Sequence, residues 1–206
     1  MEITVVGASR GTGAEVVRQA VAVGHRVRAV SRSGSPSGDG ITPYALDATD
    51  AAALRPAVAG ADAVIVTVGG GQTSRADVTR AVIEAMAGEG VRRVVAQSSY
   101  GVGDSYHSMP FVVKHLVVPL ILKQALADHE VQEALLAGSG FDWTVTRPGG
   151  LTNGEGTGSV RLAPGNGSSG SLGRIARVDA AKALLDAVVD SSTIGHAFTM
   201  VGSQGA

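Results

Sequence analysis

The feature that most limits the fold of this chain is Gly7-Ala8-Ser9-Arg10-Gly11-Thr12-Gly13, set directly after the apolar run Ile3-Thr4-Val5-Val6 and before an Ala- and Val-rich helical stretch. A glycine-rich turn between strand and helix lets the backbone approach a pyrophosphate, whose charge the free amides and helix dipole stabilise. The spacing suits a dinucleotide cradle, with Gly7, Gly11 and Gly13 as its small residues and Ser9, Arg10 and Thr12 beside them. A tight turn without ligand would use the same glycines, so the sequence behind the turn has to decide.

That sequence alternates short β-branched runs with Ala-rich amphipathic stretches, the pattern of parallel strands joined by crossover helices on both sheet faces. Strands are predicted at Glu2–Val6, Arg26–Ser31, Thr42–Leu46, Ala63–Val68, Arg93–Gln97, Asp142–Arg147 and Ala197–Val201. Helices are predicted at Gly13–Val23, Ala51–Val58, Arg75–Gly88, Val178–Val189, and from about Phe111 to Leu136 with a disturbance at Pro119. The fold class is α/β: a single-domain Rossmann fold with a doubly wound parallel sheet, spanning residues 1–206 as one NAD(P)-binding domain. At 206 residues and 44% apolar content the chain can bury one substantial core. Residues 149–173, rich in Gly and Ser with one strand-like piece at Ser159–Leu162, read as a mobile flap beside the carboxyl edge of the sheet. It is either a lid over a ligand or a partly disordered segment.

Charge and cysteine content remove several classes of function. Lys and Arg number 17 against 18 Asp and Glu, so no strong field gathers nucleic acid or an anionic membrane. The chain has no cysteine, which excludes disulfides, thiolate nucleophiles and thiolate zinc sites, and no His spacing suggests a metal site. The first strand starts too early for a signal peptide, so a cytoplasmic location is expected. The greasiest stretch, Phe111–Leu126, contains Lys114, His115, Pro119 and Lys123 and is read as a buried helix, not a membrane span.

Cofactor choice is read at the end of the second strand, where an acid would bond the ribose 2′-hydroxyl of NAD. Here that place is Ser31-Arg32-Ser33, and Arg32, Ser31, Ser33 and Ser9, with Arg10 from the glycine turn, offer donors to a 2′-phosphate. NADPH/NADP is therefore the expected cofactor, unless Arg32 is only a solvated strand-end residue. Asp47 and Ala48 follow the third strand, and Gly69 and Gly70 the fourth, where adenine and the second ribose would rest. Asp47 competes with a capping role, for which Asp50 is better placed.

Six segments occur in one order: GASRGTG, AVSRS, LDATD, VVAQSSYG, SGFDWTVTRPGGL and RIARVDAAKALL. Together they resemble the short-chain dehydrogenase/reductase superfamily, and within it the atypical NAD(P)H-binding branch that includes biliverdin reductase B/flavin reductase-like and NmrA-like proteins. In the Tyr-Lys branch a Tyr four residues before a Lys donates the proton. Here Lys114, Lys123 and Lys182 follow Pro110, Pro119 and Val178 at that spacing, so the pair is missing. The resemblance aligns His129 with the lysine slot and Ala125 with the tyrosine slot, ten and fourteen residues before Ser139. It also implies that Ser99 matches a functional serine and that Pro148-Gly149 lies against nicotinamide, although a rigid strand exit would use the same proline.

Ser98, Ser99 and Tyr100 close the fifth strand at the carboxyl edge. Ser99 could hold a carboxamide, polarise an acceptor oxygen, or satisfy the turn. His129 could deliver a proton near neutral pH, or be a solvated helix residue bonded to Asp128 or Glu133. Arg174 and Arg177, with Asp179 at the start of the last helix, look like a capping and salt-bridging group. Phe111, Met109 and Leu151 are expected as apolar walls for a substrate.

These residues imply an NADPH-dependent oxidoreductase that passes hydride to a small conjugated acceptor, with Ser99 and His129 as catalytic candidates and Ser98 among the cofactor contacts. A non-catalytic NADP(H)-binding redox sensor is the alternative. A sugar-nucleotide epimerase or dehydratase fits less well, because length and the missing Tyr oppose it. The expected partners are a small-molecule acceptor, no nucleic acid and no membrane, with the chain a monomer or homodimer.

Overall fold

The β-branched runs pair as the alternation requires. The computed structural model describes residues 1–34, 37–69, 73–164 and 174–202. Its strands are β1 (Glu2–Val6), β2 (Arg26–Ser31), β3 (Ile41–Ala45), β4 (Ala63–Val66), β5 (Arg93–Gln97), β6 (Asp142–Arg147), β7 (Gly150–Thr152), β8 (Arg161–Pro164), β9 (Arg174–Ala176) and β10 (His196–Val201). The helices are α1 (Gly11–Ala22), α2 (Ala51–Val58), α3 (Arg75–Glu89), α4 (Lys123–Ala137) and α5 (Arg177–Val189). Eight strands form one sheet in the order β3-β2-β1-β4-β5-β6-β10-β8, and β7 and β9 pair as a separate ribbon. The chain order reverses between β1 and β4, which opens a crevice at the carboxyl ends of these strands.

Each sheet face carries its own core, and the strand alternation assigns side chains between them. Ile3, Val5, Val27 and Val95 pack with Val16, Val17, Ile175 and Leu184 on the α1/α5 face. Val6, Val30, Val64 and Val94 pack with Leu54, Val82, Met86 and Leu136 on the other. Thr12, Gly13, Val16, Val17 and Ala20 recur at helical spacing along α1, so the helix that starts at the glycine turn is held flat on the sheet.

Four expectations from the sequence change. The sheet is not all parallel: the strand expected at Ser159–Leu162 lies at Arg161–Pro164 and pairs antiparallel with β10 as the last strand. The described part of the segment read as a mobile flap is tied down. The buried Asp179 carboxylate accepts from Thr157 N (2.7 Å), Thr157 Oγ1 (3.2 Å) and Gly158 N (3.0 Å), and β7 pairs with β9. Residues 165–173 of that segment lie outside the described residues. Asp179 is therefore a loop clasp and not the salt-bridging group expected at the start of α5.

The greasiest stretch is not a buried helix either. Val113–Leu122 winds as a π-helix around Pro119, which lacks the N–H for an α-helical bond and clashes with the preceding turn. Of its ten residues only Val118 is buried, in a satellite cluster with Tyr100, Val102, Met109 and Leu126. Phe111, Leu120 and Ile121 point outward at 76%, 74% and 73% exposure, because the chain is apolar on more faces here than the cluster can cover. No helix among the described residues is long and apolar enough to cross a membrane.

Candidate functional site

A cleft of about 710 Å³ runs along the carboxyl edge of the sheet at the switch point. Gly7, Ser9, Arg10, Gly11 and Thr12 form one end. Gly7 sits at φ +93°, and Gly7 N and Ala8 N both bond Val30 O at 3.0 Å, which locks the turn to β2. A Cβ on Gly7 would come within 3.1 Å of the Thr67 backbone. Gly13 does not line the cleft. Its work is packing, since a Cβ there would collide with the Gly7 carbonyl oxygen and with Thr67 Oγ1.

Asp50 and Ser74 cap α2 and α3 with side-chain oxygens, whereas Arg10 at the head of α1 gives no side-chain cap. The first amides of α1 are thus left for a ligand beside the glycine turn, an arrangement suited to an anion.

The charge around this end agrees. Arg10, Arg32 and Arg177 line the cleft, and none has an ion pair among the described residues. Asp47 also lines it, but its carboxylate accepts from Thr49 N (3.0 Å) and Thr49 Oγ1 (2.9 Å). Those bonds, with Arg32 nearby, hold its pKa below the ordinary carboxylate value. Asp50, not Asp47, caps α2, through Ala53 N at 3.1 Å. Ala48 and Gly69 line the cleft; Ser33 is exposed in the turn after β2 and does not line it, and Gly70 lies outside the described residues.

Arg177 corrects the structural role expected for it. As the first residue of α5 it reaches across to the glycine turn, with Nε 3.4 Å from where a Gly11 Cβ would be and Nη1 donating to Asn153 Oδ1 at 2.7 Å. Arg174 stays exposed outside the cleft.

The other end is formed by Gln97, Ser98, Ser99, His129, Pro148, Gly149 and Leu151. Ser98 Oγ donates to Glu133 Oε1 at 2.5 Å. Glu133 also receives Arg147 Nε (3.0 Å) and Nη2 (2.6 Å), and Arg147 Nη1 pairs with Asp104. Ser99 Oγ donates to Tyr100 O at 3.2 Å. Both serine hydroxyl hydrogens are engaged by the protein.

His129 is buried, not solvated, and its partner is neither Asp128 nor Glu133. Its Nδ1 lies 2.9 Å from Gln132 Oε1, and Gln132 Nε2 donates to Thr79 Oγ1 at 3.2 Å. An amide oxygen only accepts, so Nδ1 carries the hydrogen and Nε2, with no partner among the described residues, is left for the cleft. Burial lowers the imidazole pKa and Arg75 adds to this, outweighing the Gln132 bond and the Asp128 and Glu133 charges; the ring is neutral at pH 7. Asp128 instead serves the head of α3, taking Ser74 Oγ and Arg75 N at 2.8 Å each and Ala76 N at 3.2 Å. Of the expected apolar walls only Leu151 lines the cleft; Met109 is in the satellite cluster and Phe111 faces solvent. Gln97, Arg75, Asn153 and Arg177 line the cleft without having been singled out as site residues.

A family model described as NAD(P)H-binding matches residues 7–191. The chain is 29% identical over 155 residues to the uncharacterized sugar epimerase YhfK of Bacillus subtilis (strain 168), a match covering 71% of this chain and 66% of that protein's length. Among solved structures it is similar to ChuY, an anaerobillin reductase of Escherichia coli O157:H7, with 23% identity, a TM-score of 0.83, and 100% and 99% of the two chains covered. A short-chain dehydrogenase/reductase of Veillonella parvula DSM 2008 in complex with NADP has 17% identity, a TM-score of 0.83, and 99% and 95% coverage. At these identities the two structures speak for the fold.

Proposed function

The chain belongs to the NAD(P)H-binding family, and from that premise we propose that it is an NADPH-dependent oxidoreductase that reduces a small conjugated acceptor such as a quinone, flavin, enone or ketone. One observation carries the proposal: the uncapped head of α1 and its glycine turn open into a cleft with three guanidinium groups that have no ion pair among the described residues. The reduced dinucleotide supplies the hydride when bound, and one proton per turnover comes with it, so acceptor plus NADPH and H⁺ gives reduced acceptor and NADP⁺.

The chain's own residues bind, orient and exclude water. Gly7, Gly11 and the first amides of α1 take the pyrophosphate, with Arg177 as its countercharge. Arg32, Arg10 and Ser9 hold the 2′-phosphate, which favours NADP(H) over NAD(H). Pro148-Gly149 and Leu151 close the end where chemistry occurs. Ser98, fixed by Glu133, and Ser99 orient the reacting groups through their lone pairs, because their hydrogens are engaged. His129 takes up a proton from solvent at Nε2, which its lowered pKa makes uphill, and the same lowered pKa favours its release to the reduced acceptor.

Mixing the protein with NADPH and an acceptor panel while following the reduced-nicotinamide absorbance tests this. Depletion with at least one acceptor is expected; no depletion with any overturns turnover. Calorimetry should give a lower Kd for NADP⁺ than for NAD⁺, and equal values remove the 2′-phosphate assignment. The second function, a cytoplasmic redox sensor that holds NADP(H) without turnover, is favoured by the engaged serine hydroxyls and neutral His129, which leave no side chain poised as an acid. Tight NADPH binding without oxidation, and altered partner binding on reduction, would select it.

A further inference from the structure

One polar atom in the cleft has no role in the cradle described above. Gln97 Oε1 is fully buried and without a hydrogen-bond partner among the described residues, and Nε2 of the same amide has none either. The residue is 8% exposed and lines the cleft. Its place follows from strand alternation: Arg93 and Val95 of β5 project toward α5, Arg93 onto Val188 O and Val95 into the core with Leu184. Gln97, two residues on, projects to that same face where the strand ends. It therefore stands where the apolar floor of the α1/α5 core meets the cleft, near Leu151, which packs against that core and also lines the cleft.

Buried side-chain oxygens in folded proteins are nearly always bonded, and an unpaired one destabilises the fold. The oxygen has no accessible surface as placed, but the last torsion of a Gln side chain is broad, and turning the amide about it brings the oxygen to the cleft, where a ligand supplies the missing donor. A primary amide offers one acceptor and two donors in a plane, and its reciprocal partner is another amide edge, N–H beside C=O.

We infer that Gln97 is a specificity-determining residue that reads an amide edge, a carboxamide, lactam or imide, at the closed end of the cleft. The inference rests on the dinucleotide reading of the site. The edge is either the cofactor's own carboxamide or a lactam or imide on the second substrate, and the same contact serves both.

The test compares wild-type protein with Gln97→Met, nearly isosteric but apolar, and Gln97→Asn, which keeps the polarity but withdraws it by one methylene. Thermal melting is measured without ligand. Calorimetry then gives Kd for NADP⁺, for its 3-acetylpyridine analogue, where a methyl ketone replaces the carboxamide, and for riboflavin, an imide-bearing probe, with NADP⁺ present. Gln97→Met should melt about 2–4 °C higher, since the unpaired oxygen is gone. Gln97→Asn should show no such gain. If the cofactor supplies the edge, both variants bind NADP⁺ about tenfold more weakly and bind the acetylpyridine analogue like wild type. If the second substrate supplies it, the dinucleotide affinities stay unchanged and riboflavin binding falls about tenfold. A lower melting temperature with all affinities unchanged makes Gln97 purely structural and overturns the inference, as do unchanged affinities with unchanged melting. Wild-type protein that binds neither dinucleotide breaks the dinucleotide reading itself, and the riboflavin arm, run without NADP⁺, still decides on Gln97.

Discussion

The two ends of the cleft are built on opposite principles. At the glycine turn the protein leaves its polar groups unspent: α1 has no side-chain cap, and Arg10, Arg32 and Arg177 have no carboxylate partners among the described residues. At the other end it spends most of them. Ser98 is tied to Glu133, Glu133 to Arg147, Arg147 to Asp104, and His129 through Gln132 to Thr79. The first end waits for external charge to complete it. The second has already paired its polar groups with one another, the condition for holding reacting groups in one geometry.

This contrast can be broken most severely at the paired end. Glu133→Ala leaves Arg147, only 6% exposed, with the exposed Asp104 as its one carboxylate partner, and should lower unfolding free energy by about 3 kcal/mol in denaturant titration. A loss below 1 kcal/mol would mean that Asp104 alone holds the guanidinium. Gly13→Ala comes next: its methyl must push the Gly7 carbonyl out of the turn, costing about 1–3 kcal/mol and weakening NADP⁺ binding as well, because the packing supports the cradle.

At the open end Arg32→Ala should leave stability within about 0.5 kcal/mol, the side chain being exposed without an ion pair. It should still reduce the NADP⁺ to NAD⁺ affinity ratio about tenfold by calorimetry, one charge-assisted bond. The smallest effect is at His129. Its folded pKa lies below the unfolded value of about 6.5, so the unfolded state binds more protons as pH falls through that value, and stability drops. Denaturation midpoints at pH 7.5 and 5.5 should differ less for His129→Asn than for wild type. An identical difference would take His129 out of the acid response.

Local pattern carried the sheet. β1, β2, β5 and β6 match their predicted bounds, because a buried parallel strand must be apolar on both faces and turn residues mark its ends. The glycine turn was equally legible, being short and contiguous. The missed features are long-range. Arg177 meets Gly11 across more than 160 residues of chain, and nothing at the start of α5 distinguishes a residue that reaches a ligand from one that caps a helix. Asp128 is next to His129 in sequence but serves α3, 53 residues upstream, so adjacency on the helix suggested the wrong partner. Gln97 was invisible for another reason, since an unpaired oxygen is defined by what fails to surround it. The exposed π-helix shows the converse: hydropathy reports what a residue prefers, while only the packed fold decides whether the core has room.

Both outermost strands of the sheet contain a proline, Pro43 in β3 and Pro164 at the end of β8. A proline nitrogen cannot donate to an incoming strand, so each rim lacks a rung where another chain would add. The sheet that presents the cleft is thereby guarded at both rims against growth into aggregates, and the proline at each rim is the residue whose replacement would expose a concentrated solution to that hazard.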